Sequence, residues 1–109
     1  MQGRPSTVNG KRQYRSRIQI AAAILEIAQA GSRKTRIMYL GNLSFDLLQK
    51  YMDLLVKYEL LEVHGSSEKS YVATDKGKQF LADYKELQKY SEITESRKRA
   101  LETSLAVKG

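Results

Sequence analysis

The stretch KTRIMYLGNLSFDLLQKYMDLLVKY, residues 34–58, decides the fold. Lys34–Leu40 reads as a short helix with Ile37, Met38 and Leu40 supplying apolar contacts, and Ser32 or Arg33 stands near its N-cap. Gly41-Asn42 breaks the pattern, since both residues tolerate the left-handed backbone that a tight turn needs. Ser44 is a suitable N-cap for a second helix over Phe45–Tyr58, and Asp46 in its first turn suits the helix dipole. Leu48, Met52 and Leu55 fall on one face of that helix, flanked by Tyr51 and Tyr58, with Gln49, Lys50, Asp53 and Lys57 largely on the other. Two helices joined by a short glycine-containing turn follow the helix-turn-helix pattern.

Working outward, the segment before the pair predicts a helix over about Arg15–Ala30. Ile18, Ala21, Leu25 and Ala28 recur at helical spacing, and Ile20, Ile24 and Ile27 widen the stripe into the broad face of a central core helix. Gly31 stops it. After the pair comes a hairpin: Leu61 and Val63 alternate with Glu62 and His64, residues 65–69 form a turn, and Ser70–Thr74 resumes as a strand with Tyr71 and Ala73 on one face. Thr74 caps a last helix, Asp75 to about Leu105, which contains no proline. Gly77 near its start costs helix propensity, so a close packing contact is expected there. The order helix, helix, helix, strand, strand, long helix gives a mostly α protein with a small β-hairpin (α+β): a winged helix-turn-helix with a long C-terminal dimerisation helix. The corresponding divisions are a flexible basic arm over 1–14, a winged-helix domain over 15–84, and a continuation of the last helix over 85–109.

Composition narrows the function. The 109 residues suffice for one core, and the net charge of +7 favours an anionic partner. Arg4, Lys11, Arg12, Arg15 and Arg17 cluster at the start with no acid among them, and Arg33, Lys34 and Arg36 form a second cluster. Cysteine is absent and His64 is the single histidine, so no thiolate chemistry, cysteine metal site or catalytic triad is indicated, and no cofactor or metal is expected. With no glycine-rich phosphate loop and no nucleophile beside His64, nothing indicates an enzyme. No apolar run spans a bilayer and no signal-type segment opens the chain, so a cytoplasmic, nucleoid-associated protein is expected.

In a helix-turn-helix the second helix enters the DNA major groove and its N-terminal residues reach base edges. Those residues are Ser44, Phe45 and Asp46, then Gln49 and Lys50 a turn later. Gln49 has the chemistry to pair with adenine, Lys50 to reach guanine or phosphate, Phe45 to touch a thymine methyl, and Asp46 to accept from cytosine while repelling phosphates. Arg33, Lys34, Thr35 and Arg36 open the preceding helix, where free N–H groups and basic side chains suit a phosphate. Ser67 and Lys69 at the wing tip are candidates for backbone contact, opposed by Glu68. The basic arm either enters a minor groove or is an unselective tail. Tyr84, Leu87, Tyr90, Ser91, Thr94, Leu101 and Leu105 make an approximate heptad stripe beyond the reach of so small a domain, so a helix–helix dimer is expected. The competing functions are a protein-interaction adaptor, in which that stripe binds another protein, and RNA binding, which the deep, narrow major groove of A-form RNA disfavours.

The residues Lys34-Thr35-Arg36-Ile37-Met38-Tyr39, Asn42-Leu43-Ser44, Leu48-Gln49-Lys50-Tyr51, Leu60-Leu61-Glu62, Tyr71 and Thr74-Asp75-Lys76-Gly77-Lys78 together resemble the small archaeal winged-helix family typified by the crenarchaeal "10a" chromatin protein. The likeness covers about Arg17–Tyr84 and continues as a long helix. It implies a winged-helix fold, double-stranded DNA binding and a homodimer joined by an antiparallel coiled coil of the last helices, in a nucleoid-associated protein or transcriptional regulator. It places the recognition helix at Ser44–Tyr58 and the wing at Glu62–Tyr71. The 1–14 extension and Glu62-Val63-His64 have no counterpart in the resemblance.

Overall fold

A computed structural model describes residues 15–105; the arm expected over 1–14 and the last residues, 106–109, lie outside the described part. The elements are α1 (Arg17–Ile27), α2 (Lys34–Gly41), α3 (Phe45–Lys57), β1 (Leu61–His64), β2 (Ser70–Ala73) and α4 (Asp75–Leu105). Their order and types are those expected from the sequence.

Helix α1 is shorter than its apolar pattern suggests: Ser16 caps it on the N-terminal side and Ala28 is already its C-cap. The Ser16 hydroxyl accepts from the Gln19 N–H at 3.1 Å, and the Ser16 N–H donates to Gln19 Oε1 at 2.7 Å. This reciprocal capping box satisfies two otherwise unpaired donors. Ile20, Ala21, Ala22, Ile24, Leu25 and Ala28 are buried around more than one face, since α1 packs against α2, α3, α4 and β2. Ile18, expected in that core, is 49% exposed. The core is completed by Ile37 from α2, Leu43 from the turn, Leu48, Tyr51, Met52 and Leu55 from α3, Leu61 and Ala73 from the hairpin and Leu81 from α4. Each fully buried leucine or isoleucine contributes about 1.5–3 kcal/mol of apolar transfer. In α2, Ile37 and Gly41 are buried and Met38 packs at the edge; Leu40, expected to make apolar contacts, faces outward.

The hairpin is antiparallel, pairing Leu61 with Ala73, Glu62 with Val72, Val63 with Tyr71 and His64 with Ser70. Gly65 (φ +88°) turns it, and a Cβ there would meet the Glu68 carbonyl at 2.6 Å. The outer edge of β2 is covered: Ser32 and Tyr71 exchange backbone hydrogen bonds of 3.0 and 2.8 Å, and the Ala73 N–H donates to the Ala28 carbonyl at 2.9 Å. This ties the root of the wing to the end of α1 and the start of α2. Val63 does not share the burial of Leu61 as the alternation suggests, because β1 runs out from the core and everything past Leu61 is exposed.

The end of α3 is clamped to the start of α4. Thr74 Oγ1 donates to the Glu59 carbonyl at 2.7 Å and accepts from the Gly77 N–H at 3.0 Å, while Lys76 reaches the Tyr58 carbonyl at 2.9 Å. A Cβ at Gly77 would lie 2.2 Å from the Leu60 carbonyl oxygen, the close contact expected from its cost to the helix. Helix α4 then leaves the domain. Its 31 residues rise about 46 Å. Gly77 and Leu81 are buried, Phe80 and Tyr84 are half-buried, and every residue from Lys85 to Leu105 is exposed.

Candidate nucleic-acid interface

The α2–α3 turn is built by three devices. Asn42 adopts the left-handed backbone (φ 54°, ψ 52°), Leu43 is buried beneath it, and Arg15 donates to the Gly41 carbonyl at 2.8 Å from the base of α1. Ser44 then caps α3, its hydroxyl accepting from the Leu47 N–H at 3.2 Å. With Leu48, Tyr51, Met52 and Leu55 held in the core, the opposite face of α3 is turned to solvent. Phe45, Asp46, Lys50, Asp53 and Lys57 are exposed and Gln49 is half-buried. Tyr51, expected to flank the apolar face, is a core residue.

The sequence-predicted contact residues form two groups rather than one surface. In the first, Lys34 of α2 hydrogen-bonds Gln49 Oε1 and stands 5.4 Å from the centre of the Phe45 ring. Gln49 Nε2 in turn donates to Asp53 Oδ1 at 2.8 Å. Both ends of the Gln49 amide are therefore engaged in the free protein. Each atom keeps one further hydrogen-bonding capacity, because an amide nitrogen carries two donors and its oxygen two lone pairs.

The second group joins the start of α2 to the wing. Arg33 and Glu68 form an ion pair of 2.6 Å between two exposed side chains. Glu68, which alone would repel a phosphate, is thereby neutralised. Ser67 and Lys69 beside it are exposed, as are Thr35 and Arg36. Residues 30–33, Thr35, Arg36 and Ser70 line a shallow concavity where the wing root meets α2. Arg33 occupies the α2 N-cap without a side-chain cap. At the far end of the wing strand, His64 and Glu62 are within 2.8 Å of each other.

Lys50 belongs to neither group. It stands 5.9 Å from the Tyr51 ring and shares a concavity of about 480 Å³ with Arg15, Arg17, Asn42 and Leu47. Arg15 and Arg17 belong to the basic cluster near the start of the sequence, and their charge pattern does not reveal that they lie beside α3. The legible signal is Ser16-x-x-Gln19, the capping box that anchors them to the domain. Among the described residues no cluster of histidine, cysteine and carboxylate side chains could hold a metal ion, and no helix is long and apolar enough to cross a membrane.

Of the residues expected in a dimer seam, Tyr84 is half-buried against α1 beside Ala22, Ala23 and Glu26. Leu87, Tyr90, Thr94, Leu101 and Leu105 are exposed on the free part of α4, and so is Ile93, which is not among the sequence-predicted seam positions.

The profile of the winged helix-turn-helix family matches residues 14–92. The chain belongs to that family. Among solved structures, this winged-helix chain is similar to Sso10a-2, a DNA-binding protein from Sulfolobus solfataricus. The TM-score is 0.77 at 29% identity, covering 84% of this chain and 97% of that one. That likeness bears out the archaeal winged-helix resemblance seen in the sequence. A mutant of ZitR from Lactococcus lactis aligns with a TM-score of 0.53 at 17% identity, over 93% of this chain and 68% of that one. A MarR-family transcriptional regulator from Silicibacter pomeroyi aligns with a TM-score of 0.51 at 18% identity, over 84% and 62%. These two share the fold. No curated protein sequence matches this one.

Proposed function

We propose that this winged-helix protein binds double-stranded DNA as a homodimer, as a transcriptional regulator or nucleoid-associated protein. The observation that carries the reading is the outward face of α3, with Arg17 of α1 sharing a concavity with Lys50 and Lys34 of α2 bonded to Gln49, while Arg33 and Arg36 at the start of α2 and Lys69 on the wing are exposed as a second basic group. A helix presented in this way fits a major groove, and the surrounding cations fit its phosphates. The DNA-binding character of Sso10a-2, at 29% identity over nearly its whole length, supports the same partner. The test is duplex binding by anisotropy across a salt series, with duplex RNA as competitor. DNA-selective binding that weakens steeply with salt is expected. No binding to any duplex at low salt overturns the reading and leaves the adaptor function.

Dimerisation rests on α4. The positions Phe80, Tyr84, Leu87, Ser91, Thr94, Lys98, Leu101 and Leu105 alternate in steps of four and three, the spacing of a coiled-coil seam, with Tyr90, also expected in the stripe, one position off it at the flank. From Leu87 onward this seam is exposed. In a parallel pair each position meets its own copy, setting Lys98 against Lys98. An antiparallel pair avoids this. The antiparallel register that matches every seam position places Phe80 against the partner's Leu105, Tyr84 against the partner's Leu101, Leu87 against the partner's Lys98, and Ser91 against the partner's Thr94. The polar layers then gather at the centre and apolar layers close both ends. The aliphatic stem of Lys98 covers Leu87 while its ammonium stays in water.

A further inference from the structure

Below α3 lies a groove of about 650 Å³ that shares only Arg17, at its rim, with the cations of the DNA-facing surface. Ile18 of α1, Leu54 and Tyr58 at the end of α3, Leu60 and Phe80 of α4 line it, with Arg17 at its rim. Its walls are mostly carbon, yet Ile18 and Tyr58 are 49% and 52% exposed. Large apolar side chains gathered around one concavity mark a binding surface, whereas scattered ones need no explanation. Phe80 belongs to two features at once: it forms a wall of this groove, and it is the first position of the α4 seam.

We propose that the groove is the seat for the C-terminal end of a second copy's α4, with the partner's Leu105 as the side chain that enters it. This rests on the antiparallel seam proposed above, and goes further by assigning the groove its occupant. In the fully matched register, the partner's Leu105 arrives beside Phe80, at the mouth of the groove, with the Ile18 and Tyr58 walls beyond it. The protein's own Leu105 cannot reach this place, because it lies 25 residues along a continuous helix from Phe80, about 37 Å away. Leu105 is 84% exposed in the single chain, the most exposed large apolar side chain on α4, and Leu101 one turn earlier is 68% exposed. An exposed apolar helix end and an exposed apolar groove thus lie at the two ends of one seam, and pairing two copies covers both twice.

The arrangement has a consequence for the DNA-facing surface. Leu54 and Tyr58 stand on the rear of α3, so a helix end seated in the groove touches the recognition helix from behind. Each head is then held by its partner's helix as well as its own, which fixes the relation between the two DNA-facing surfaces.

The test uses the absence of cysteine from the chain. Ile18→Cys places a unique thiol on the groove wall at a half-exposed position, where the fold tolerates it. Alkylation by N-ethylmaleimide is followed by mass spectrometry in the full-length dimer, with the oligomeric state fixed by sedimentation at the same concentration. Protection of roughly tenfold or more relative to the monomer obtained on dilution is expected, because the thiol reacts only when the helix end lifts away. Adding Leu105→Asp should abolish that protection while Leu87 and Leu101 still hold the dimer. A sedimenting dimer whose thiol reacts as fast as the monomer's overturns the inference and leaves the seam intact, with the groove open to a small apolar ligand. A chain that is monomeric at every concentration overturns the seam itself.

Discussion

Replacing Lys50 by alanine should reduce the salt sensitivity of DNA binding by one phosphate contact per bound head. Arg17, Arg36, Lys50 and Lys69 are exposed, and among the described residues none of them lies within ion-pair distance of a carboxylate. Arg33 is held by Glu68 and Lys34 by Gln49, and Lys57 lies in the last turn of α3, away from the base-reading end, so the other four set the number of ready phosphate contacts. Each contact contributes about 0.9 to the slope of log K against log salt. Four contacts lower the affinity about 150-fold between 50 and 200 mM salt, and three lower it about 40-fold. Lys50→Ala should therefore shrink the salt effect by a factor of about 3.5 for each bound head. Whatever residues 1–14 contribute is common to both proteins and cancels in that ratio. Stability should change little, because the Lys50 ammonium is engaged with the Tyr51 ring in an exposed cation–π pair, worth about 0.5–1 kcal/mol. Anisotropy titrations of a mixed-sequence duplex at four salt concentrations measure both slopes. An unchanged slope in the variant removes Lys50 from the interface, and a flat wild-type slope removes the phosphate-driven mechanism altogether.

Gly77→Ala should destabilise the domain by about 1–3 kcal/mol in thermal denaturation despite the better helix propensity of alanine, since the clash is with the Leu60 backbone and cannot be relieved by a side-chain rotation; a rise in melting temperature would refute it. Glu68→Gln should tighten DNA binding about three- to tenfold at low salt by freeing Arg33, with stability within about 0.5 kcal/mol of wild type, because the pair is exposed; weaker binding would mean that the pair orders the wing for contact. Leu101→Asp should raise the dimer dissociation constant about a hundredfold or more, as the change places a carboxylate in the seam of both copies; an unchanged sedimenting mass would rule out that seam. Gln49→Ala should leave the affinity for a mixed-sequence duplex within about twofold, because removal of the amide is balanced by release of Lys34; a uniform tenfold weakening would show that Gln49 grips the backbone.

The fold was legible because its decisive signals are local. Ser44 as a cap, Gly41-Asn42 as a break and the Leu48, Met52, Leu55 stripe each report on a few neighbouring residues, and the structure keeps them with one change: Gly41 is still helical, and Asn42 alone takes the left-handed backbone. Gly77 was legible by its inappropriateness: a glycine inside a helix implies a neighbour, and the Leu60 carbonyl is that neighbour. What local patterns could not supply is which elements lie side by side. Ile18 fits the α1 stripe as well as Leu25 does, but it lies toward the groove that α3 and α4 leave open. Val63 alternates with Glu62 correctly and is exposed all the same, because β1 leaves the core after one residue. In the candidate site, the residue types were readable and their partners were not. The Arg33–Glu68 pair joins positions 35 residues apart, and the Lys34–Gln49 contact joins two helices. Gln49 and Glu68 therefore read as free groups from sequence and are engaged groups in the fold.

The charges around α3 divide the surface by task. Asp46 and Asp53 lie two turns apart on the same side of the helix, with Gln49 and Lys50 between them. Two carboxylates beside one lysine make a poor surface for phosphates, so Lys50 is the single backbone grip that the middle of α3 offers. The remaining cations are supplied from outside it, by α1, α2 and the wing. A carboxylate is tolerated near DNA where it faces a base edge, since the cytosine amino group donates to it, and is repelled where it faces the backbone. In the proposed complex the acids on α3 would orient the helix as much as the surrounding cations do: they favour the pose in which the Asp46–Asp53 face points into the groove floor and Arg17, Arg36 and Lys69 meet the strands on either side. In that pose Gln49 reaches a base with its one free donor and one free acceptor only while Lys34 and Asp53 hold the amide in the groove plane. On the proposed DNA complex, selectivity would then depend on the Lys34–Gln49–Asp53 chain as a unit, and affinity on cations that are not part of it.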